Sequence, residues 1–252
     1  MQVYGLIGYP LGHSFSKQYF TEKFTREQIH GCRFRLFELR DIAELPALLQ
    51  RESGLKGLAV TIPYKESVMN LLDVVDKEAA QVGAVNCICI SSGRLTGYNT
   101  DITGFEMSLK PLLKEHHTRA LVLGSGGASK AVQYVLERLG IGFMVVTRNN
   151  NPAPGMIGYR SLNEEVISNH SLIVNCTPVG MYPHQNEMPS IPYGYIRAGH
   201  LLYDLIYRPD VTRFLQQGKE MGAEIKNGYE MLVLQAEENW KLWNNTGRAV
   251  VT

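Results

Sequence analysis

The 252-residue sequence predicts an α/β protein of two small domains, and three observations carry that prediction. In the first hundred residues, short apolar runs alternate with helical patterns. Near residue 120, an apolar strand runs through a glycine-rich turn into an amphipathic helix and a further strand. Glycine is abundant, at 24 residues, yet shows no repeating period. It therefore marks turns and close approaches within a globular fold, and a collagen-like fibre is excluded.

The elements follow in order. Residues 3–7 read as a strand, stopped by Gly8-Tyr9-Pro10. Residues 14–25 read as a helix with Ser14 at its N-cap. A strand over 33–39 precedes a helix over 41–50, which puts Ile42, Leu45, Leu48 and Leu49 on one face. Residues 57–61 make a strand stopped by Pro63, and 84–90 a strand turned by Ser91-Ser92-Gly93. This alternation argues for a mostly parallel sheet. In the second half, 120–123 is a buried strand that enters Gly124-Ser125-Gly126-Gly127-Ala128-Ser129. Ala131, Val132, Val135, Leu136 and Leu139 form the stripe of the following helix, which Gly140 ends. Strands over 143–147, 171–175 and 201–205 complete the sheet, 149–158 is a loop, and 230–244 is the last helix. The domain change falls in a helix near 102–116.

Composition excludes several classes. Hydrophobic content of 44% and charged content of 19% describe a folded chain. The net charge is +1 and no Lys/Arg stripe is present, so no nucleic-acid partner is expected. No apolar run approaches the ~18 residues that cross a bilayer, and the N-terminus has no signal-peptide pattern. The expected location is cytoplasmic. Cys32, Cys87, Cys89 and Cys176 form no C-x-x-C pair, and the histidines show no ligand spacing, so no metal site is expected.

The glycine turn carries the first functional signal. A first glycine lets the strand turn sharply and a second lets backbone approach a pyrophosphate. The helix start then offers free N–H groups and partial positive charge. Here Ser129 stands at the third fingerprint position. Placement between a strand and an amphipathic helix is what raises this turn above a chance glycine pair. The next strand ends in Val146-Thr147-Arg148-Asn149, without the acid that holds a ribose 2′-hydroxyl. Arg148 suits a 2′-phosphate, or is simply a solvated surface arginine, and NADP is the expected cofactor.

Polar residues cluster in the first half. Gly12-His13-Ser14-Phe15-Ser16 follows a strand, Thr61 ends one with Lys65 four residues on, and Asn86 opens another. Gly97-Tyr98-Asn99-Thr100-Asp101 leads into a helix. Taken singly, Ser14 and Asp101 read equally as helix caps and Lys65 as a solvated lysine. Ligands bind at strand ends of α/β sheets, so the joint location favours one polar pocket. A Lys with an Asp beside a nicotinamide suits proton transfer during ketone reduction.

At this point the sequence resembles the shikimate dehydrogenase family over nearly its whole length. The match rests on Gly8-Tyr9-Pro10 with His13 to Ser16, on residues 60–65, 83–86 and 97–101, and on the glycine turn. It extends through residues 175–181, 203–209 with Thr212, and Gly228 with Met231, Leu232 and Gln235. The resemblance implies an oxidoreductase that reduces 3-dehydroshikimate to shikimate with NADPH, in chorismate and aromatic amino acid biosynthesis. It implies Lys65 and Asp101 as the catalytic pair, and Ser14, Ser16, Thr61, Asn86, Tyr207 and Gln235 as substrate-binding residues. Gly124, Gly126, Gly127 and Ala128 would hold the pyrophosphate and Thr147 and Arg148 the adenosine phosphate, with Gly228 and Met231 facing the nicotinamide. Lys17, Phe20, Ala59 and Cys87 depart from the family pattern. A quinate/shikimate dehydrogenase that also uses NAD, and a catalytically silent NADP-binding regulator, are the competing readings. Both lines together predict a substrate-binding and catalytic α/β domain over 1–104 and a Rossmann-like NADP-binding domain over 105–228. The last helix, in 229–252, should return to the first domain, with the active-site cleft between the two. A monomer or homodimer is expected.

Overall fold

The protein is described from a computed structural model that covers residues 1–12, 14–149 and 152–244. His13, Asn150, Asn151 and residues 245–252 lie outside the described residues. The chain divides into two compact units, Met1–Thr100 with Ala236–Thr252, and Asp101–Gln235.

The first unit begins with β1 (Gln2–Gly8), α1 (Phe15–Arg26) and β2 (Cys32–Glu38). The expected helix over 41–50 forms as a short 3-10 turn over Ile42–Glu44 and then α2 (Leu45–Arg51). Asp41 and Glu44 close a capping box on the turn, and Pro46 lies in the first turn of α2, where its missing N–H costs nothing. Next come β3 (Leu55–Val60), β4 (Val74–Val75), α3 (Lys77–Val82), β5 (Cys87–Ser91) and β6 (Arg94–Tyr98). The strand order is β2-β1-β3-β5-β6-β4. Parallel pairing is broken at β5, which runs antiparallel to both β3 and β6. Positive φ at Ser92 and Gly93 makes the tight turn that folds β6 back on β5. The strand over 94–98 is therefore an addition to the sequence reading.

Both faces of this sheet are covered. On one face, Val3, Ile7, Leu58, Val60 and Ile88 pack with Leu45, Leu48, Val68 and Ala79. On the other, Tyr4, Leu6, Phe34, Ala59 and Cys87 pack against α1 and the last residues of α8 (Tyr229–Asn244). Both tryptophans of the chain, Trp240 and Trp243, belong to this aromatic cluster, their rings 5.1 and 5.2 Å from that of Tyr4. Three departures from the family pattern are explained here. Phe20 is fully buried and stacked on Phe34 at 4.7 Å, and Ala59 and Cys87 are core residues of the same face.

The second unit opens with α4 (Asp101–Leu109). Its sheet contains β7 (Arg119–Leu123), β8 (Gly142–Thr147), β9 (Met156–Gly158), β10 (Leu172–Asn175), β11 (Leu201–Asp204) and β12 (Glu224–Lys226). Helices α5 (Gly127–Arg138), α6 (Glu164–Ser168) and α7 (Arg213–Glu220) connect them. The order is β12-β11-β10-β7-β8-β9, and every pairing is parallel. This is the Rossmann-like arrangement expected of the second half. Strand β9 lies inside the stretch read as a loop. At three residues it is too short to show a period, and only its pairing with β8 defines it. No helix among the described residues is long and apolar enough to cross a membrane.

Candidate active site

In the first unit, the polar residues picked from the sequence gather on one edge of the sheet. This edge holds the carboxyl ends of β1, β3 and β6 and, because β5 is reversed, the start of β5. Gly8 closes the approach between β1 and the turn after β3. A Cβ there would stand 2.5 Å from the Thr61 methyl, and the next amide, Tyr9 N–H, donates to the Ile62 carbonyl at 3.1 Å. Ser14 is the N-cap of α1, its hydroxyl accepting from Lys17 N–H at 3.4 Å, and Ser16 is half-buried in the first turn. Thr61 continues the ladder by donating its N–H to the Ile7 carbonyl at 3.0 Å. The turn that carries Lys65 is fixed from below by the buried Tyr64, whose hydroxyl donates to the Leu39 carbonyl at 2.7 Å.

Two consecutive residues tie Lys65 to the segment before Asp101. Val85 N–H donates to the Lys65 carbonyl at 2.7 Å. The Asn86 side-chain oxygen accepts from Thr100 N–H, also at 2.7 Å. Thr100 is held further by its hydroxyl, which donates to Asn239 at 2.7 Å. Asp101 follows at once as the first residue of α4 and is buried, with the helix N-terminus favouring its negative charge. Sequence reasoning treated Asn99 only as part of the quoted segment. Its amide nitrogen donates to the Ala84 carbonyl at 2.9 Å, yet its oxygen is a buried acceptor without a partner among the described residues. Such an orphan is rare and marks a place for a donor from a ligand or water.

In the second unit, strand order reverses at β7, so the crevice for a ligand lies outside the carboxyl ends of β7 and β10. Gly124 and Thr177, which follow those strands, face each other there: a Cβ on Gly124 would stand 3.0 Å from the Thr177 methyl. Gly124 also has φ +102°, a conformation only glycine adopts easily. No side chain caps α5, and the space a Cβ would take at Gly126 is open. The first amides of α5, on Gly127 and Ala128, thus stand where a pyrophosphate would accept from them. Ser129 replaces the third glycine with a purpose. It is buried, and its hydroxyl donates to the Gly124 carbonyl at 2.7 Å, bracing the turn from within. These features fit a dinucleotide.

Thr147 ends β8 and its hydroxyl accepts from Asn149 N–H at 3.2 Å, which bends the chain at the exposed Arg148. Burial raises the Tyr159 hydroxyl pKa, and the positive charge of Arg148 opposes that rise. Tyr207, half-buried, lies in the loop after β11, two strands from β7 on the side away from Arg148. The sheet therefore separates the residue expected at the adenosine phosphate from the one expected at the substrate. Gly228 and Met231 stand at the start of α8, both buried, and Gln235 follows one turn later, its amide nitrogen donating to the Leu232 carbonyl at 2.8 Å. Gly104 brings α4 against this turn: a Cβ on it would stand 2.6 Å from the Met231 carbonyl oxygen and 3.2 Å from the Gln235 Cβ.

The family model for the shikimate dehydrogenase substrate binding domain matches residues 6–88. A shikimate dehydrogenase (NADP(+)) of Caldanaerobacter subterraneus subsp. tengcongensis is 37% identical, over 96% of this chain and 91% of its own length. Among solved structures, the chorismate mutase/shikimate 5-dehydrogenase fusion protein from Clostridium acetobutylicum superposes with a TM-score of 0.86 at 36% identity, covering 97% of this chain and 91% of that one. Shikimate 5-dehydrogenase from Thermus thermophilus, in complex with NADP(H) and shikimate, gives 0.85 at 30% identity, over 97% and 94% of the two chains.

Proposed function

The chain belongs to the shikimate dehydrogenase family of NADP-dependent oxidoreductases, and from that premise we propose that it reduces 3-dehydroshikimate reversibly to shikimate with NADPH, in chorismate and aromatic amino acid biosynthesis. The observation that supports this reading most is the bonding at Val85 and Asn86. These neighbours fix the backbone of Lys65 and the residue before Asp101 through two 2.7 Å hydrogen bonds. A proton-transfer pair needs that kind of fixed main chain, because the reaction tolerates little misplacement.

In the proposed mechanism, Ser14, Ser16, Thr61, Asn86, Tyr207 and Gln235 bind the carboxylate and hydroxyls of the substrate. The Asn99 oxygen, a buried acceptor without a partner among the described residues, takes a hydrogen bond from a substrate hydroxyl or a bound water. Gly124, Gly126, Gly127 and Ala128 hold the pyrophosphate, Thr147 and Arg148 the 2′-phosphate, and Gly228 and Met231 line the nicotinamide. When bound, the nicotinamide supplies the hydride, or takes it in the reverse direction. Lys65 gives a proton to the carbonyl oxygen as charge develops on it, and the Asp101 carboxylate holds the ammonium in place; in oxidation the proton returns by the same route. The working form is a monomer or homodimer in the cytoplasm.

The test is turnover of shikimate by the purified protein, followed at the nicotinamide absorbance with NADP+ and with NAD+, and with quinate as a second substrate. Turnover with shikimate and NADP+ is expected, and a folded protein without it refutes the reading. Lys65→Ala is expected to lower kcat by roughly 10² or more. An unchanged kcat removes Lys65 from the chemistry.

A further inference from the structure

Asp204 ends β11 with its side chain fully buried, and no step above uses it. A buried carboxylate is costly unless its oxygens are filled. Thr212 donates its hydroxyl to one oxygen at 2.6 Å. The other accepts from Ile206 N–H and from the Asn175 amide, each at 3.0 Å.

Each donor leads to a different piece of backbone. Asn175 accepts from Thr177 N–H at 3.0 Å and from the Thr177 hydroxyl at 2.7 Å, and that hydroxyl accepts from Val179 N–H at 3.3 Å. This fixes residues 176–181, which face the glycine turn. Thr212 and Ile206 fix the two ends of the loop that holds Tyr207. The Ile206 carbonyl in turn accepts from Gly228 N–H at 3.1 Å, and the Gly228 carbonyl from Leu232 N–H at 3.0 Å. A Cβ on Gly228 would stand 2.1 Å from the Leu205 carbonyl oxygen, so this contact has no room for a side chain.

We propose that Asp204 is a positioning residue. Its carboxylate holds residues 176–181, the 205–212 loop and the start of α8 in one arrangement, so that Tyr207 and Met231 stand ready for ligand. This rests on the assignment of Tyr207, Gly228 and Met231 to substrate and nicotinamide. The electrostatics support it. Burial pushes the Asp204 carboxyl up to about 7 against the pull of its three donors. Burial and then the Asp204 charge push the Cys176 thiol and the Tyr193 hydroxyl upward. A group serving stability alone is better replaced by a neutral side chain of the same shape, since the charged form works against the fold.

Asp204→Asn is that replacement. It keeps the shape but leaves one acceptor oxygen and no charge, so the Thr212 hydroxyl loses the charged acceptor that holds its side of the loop. We expect KM for shikimate and for NADP+ to rise about tenfold, the scale of one hydrogen bond to a charged group, with no fall in Tm. Hydrogen exchange of peptides spanning 176–181 and 205–212 is expected to accelerate about tenfold while β7 and β8 stay protected. Thr212→Val should reproduce the exchange change and Thr212→Ser should restore wild-type behaviour; this pair decides the matter if Asp204→Asn does not fold. Wild-type KM values with unchanged exchange overturn the proposal, as does a lowered Tm with KM unaffected. If the wild-type protein shows no turnover, the catalytic reading fails, and exchange alone then decides for or against Asp204.

Discussion

Replacing Gly104 by alanine tests whether the α4–α8 spacing serves the reaction. The new Cβ would stand 2.6 Å from the Met231 carbonyl oxygen, where ordinary contact begins near 3.4 Å. The obstacle is backbone, so the two helices must separate by roughly 0.8 Å, the gap between those two distances. Two effects on stability oppose each other. Alanine favours a helix interior over glycine by about 1 kcal/mol. Forced overpacking costs about 1–3 kcal/mol. The net loss is at most about 2 kcal/mol, or a fall in Tm of about 4–8 °C. Catalysis is more exposed, because a displacement of ~1 Å can cost as much as ~10²-fold in rate. Asp101 lies on one of these helices and Met231 and Gln235 on the other. The expected result is a folded variant whose kcat/KM for shikimate falls about 10- to 100-fold, measured by steady-state absorbance beside a circular-dichroism melt. A folded Gly104→Ala protein with wild-type kcat/KM refutes the reasoning.

Ser129→Ala removes the 2.7 Å bond to the Gly124 carbonyl and should weaken NADP+ binding by about 1 kcal/mol in calorimetry; an unchanged Kd would mean the turn needs no such brace. Arg148→Ala should raise KM for NADP+ about tenfold and leave NAD+ little affected, whereas equal effects would remove the 2′-phosphate role. Asn99→Ala should raise KM for shikimate several-fold at constant KM for NADP+, since it deletes a buried acceptor. Asp204 also predicts a pH dependence. Its carboxyl is raised from 3.8 to about 7, so its protonated form contributes stability that is fully present below about pH 3.8 and lost as pH rises through about 7. That difference is worth up to about 4 kcal/mol. The unfolding free energy of the wild type relative to Asp204→Asn, from urea curves, should fall by this scale between pH 4 and pH 7.5; a difference constant with pH contradicts an ionising Asp204.

The sequence made the repeating parts of this fold legible. The Ala131 to Leu139 stripe, the strand before it and the Gly140 stop reappear as α5 between β7 and β8, because amphipathic period and glycine chemistry are local. Strands β4, β6, β9 and β12 escaped notice. They are short, and pairing with a neighbour defines them more than composition does. At the candidate site, residue types and their order pointed to strand ends, where the structure puts them. The Asn99 orphan and the Asp204 hub were out of reach. The first is a missing partner, and the second joins Asn175, Ile206 and Thr212 through folding. Ser129 stands at the third position of a glycine fingerprint and proves to be a brace, because only the folded backbone shows where a hydroxyl donates.

The aromatic cluster under the first sheet has a practical corollary. Trp240 and Trp243 are the protein's two tryptophans, and both pack beside Tyr4 in the first unit. Indole emission is therefore a private signal of that half. The glycine turn, Arg148 and the Asp204 hub sit in the other unit, which has tyrosines but no tryptophan. A fluorescence melt and a far-ultraviolet melt of this protein report on different populations of residues. Any lag between the two curves resolves the order in which the halves come apart, without a label.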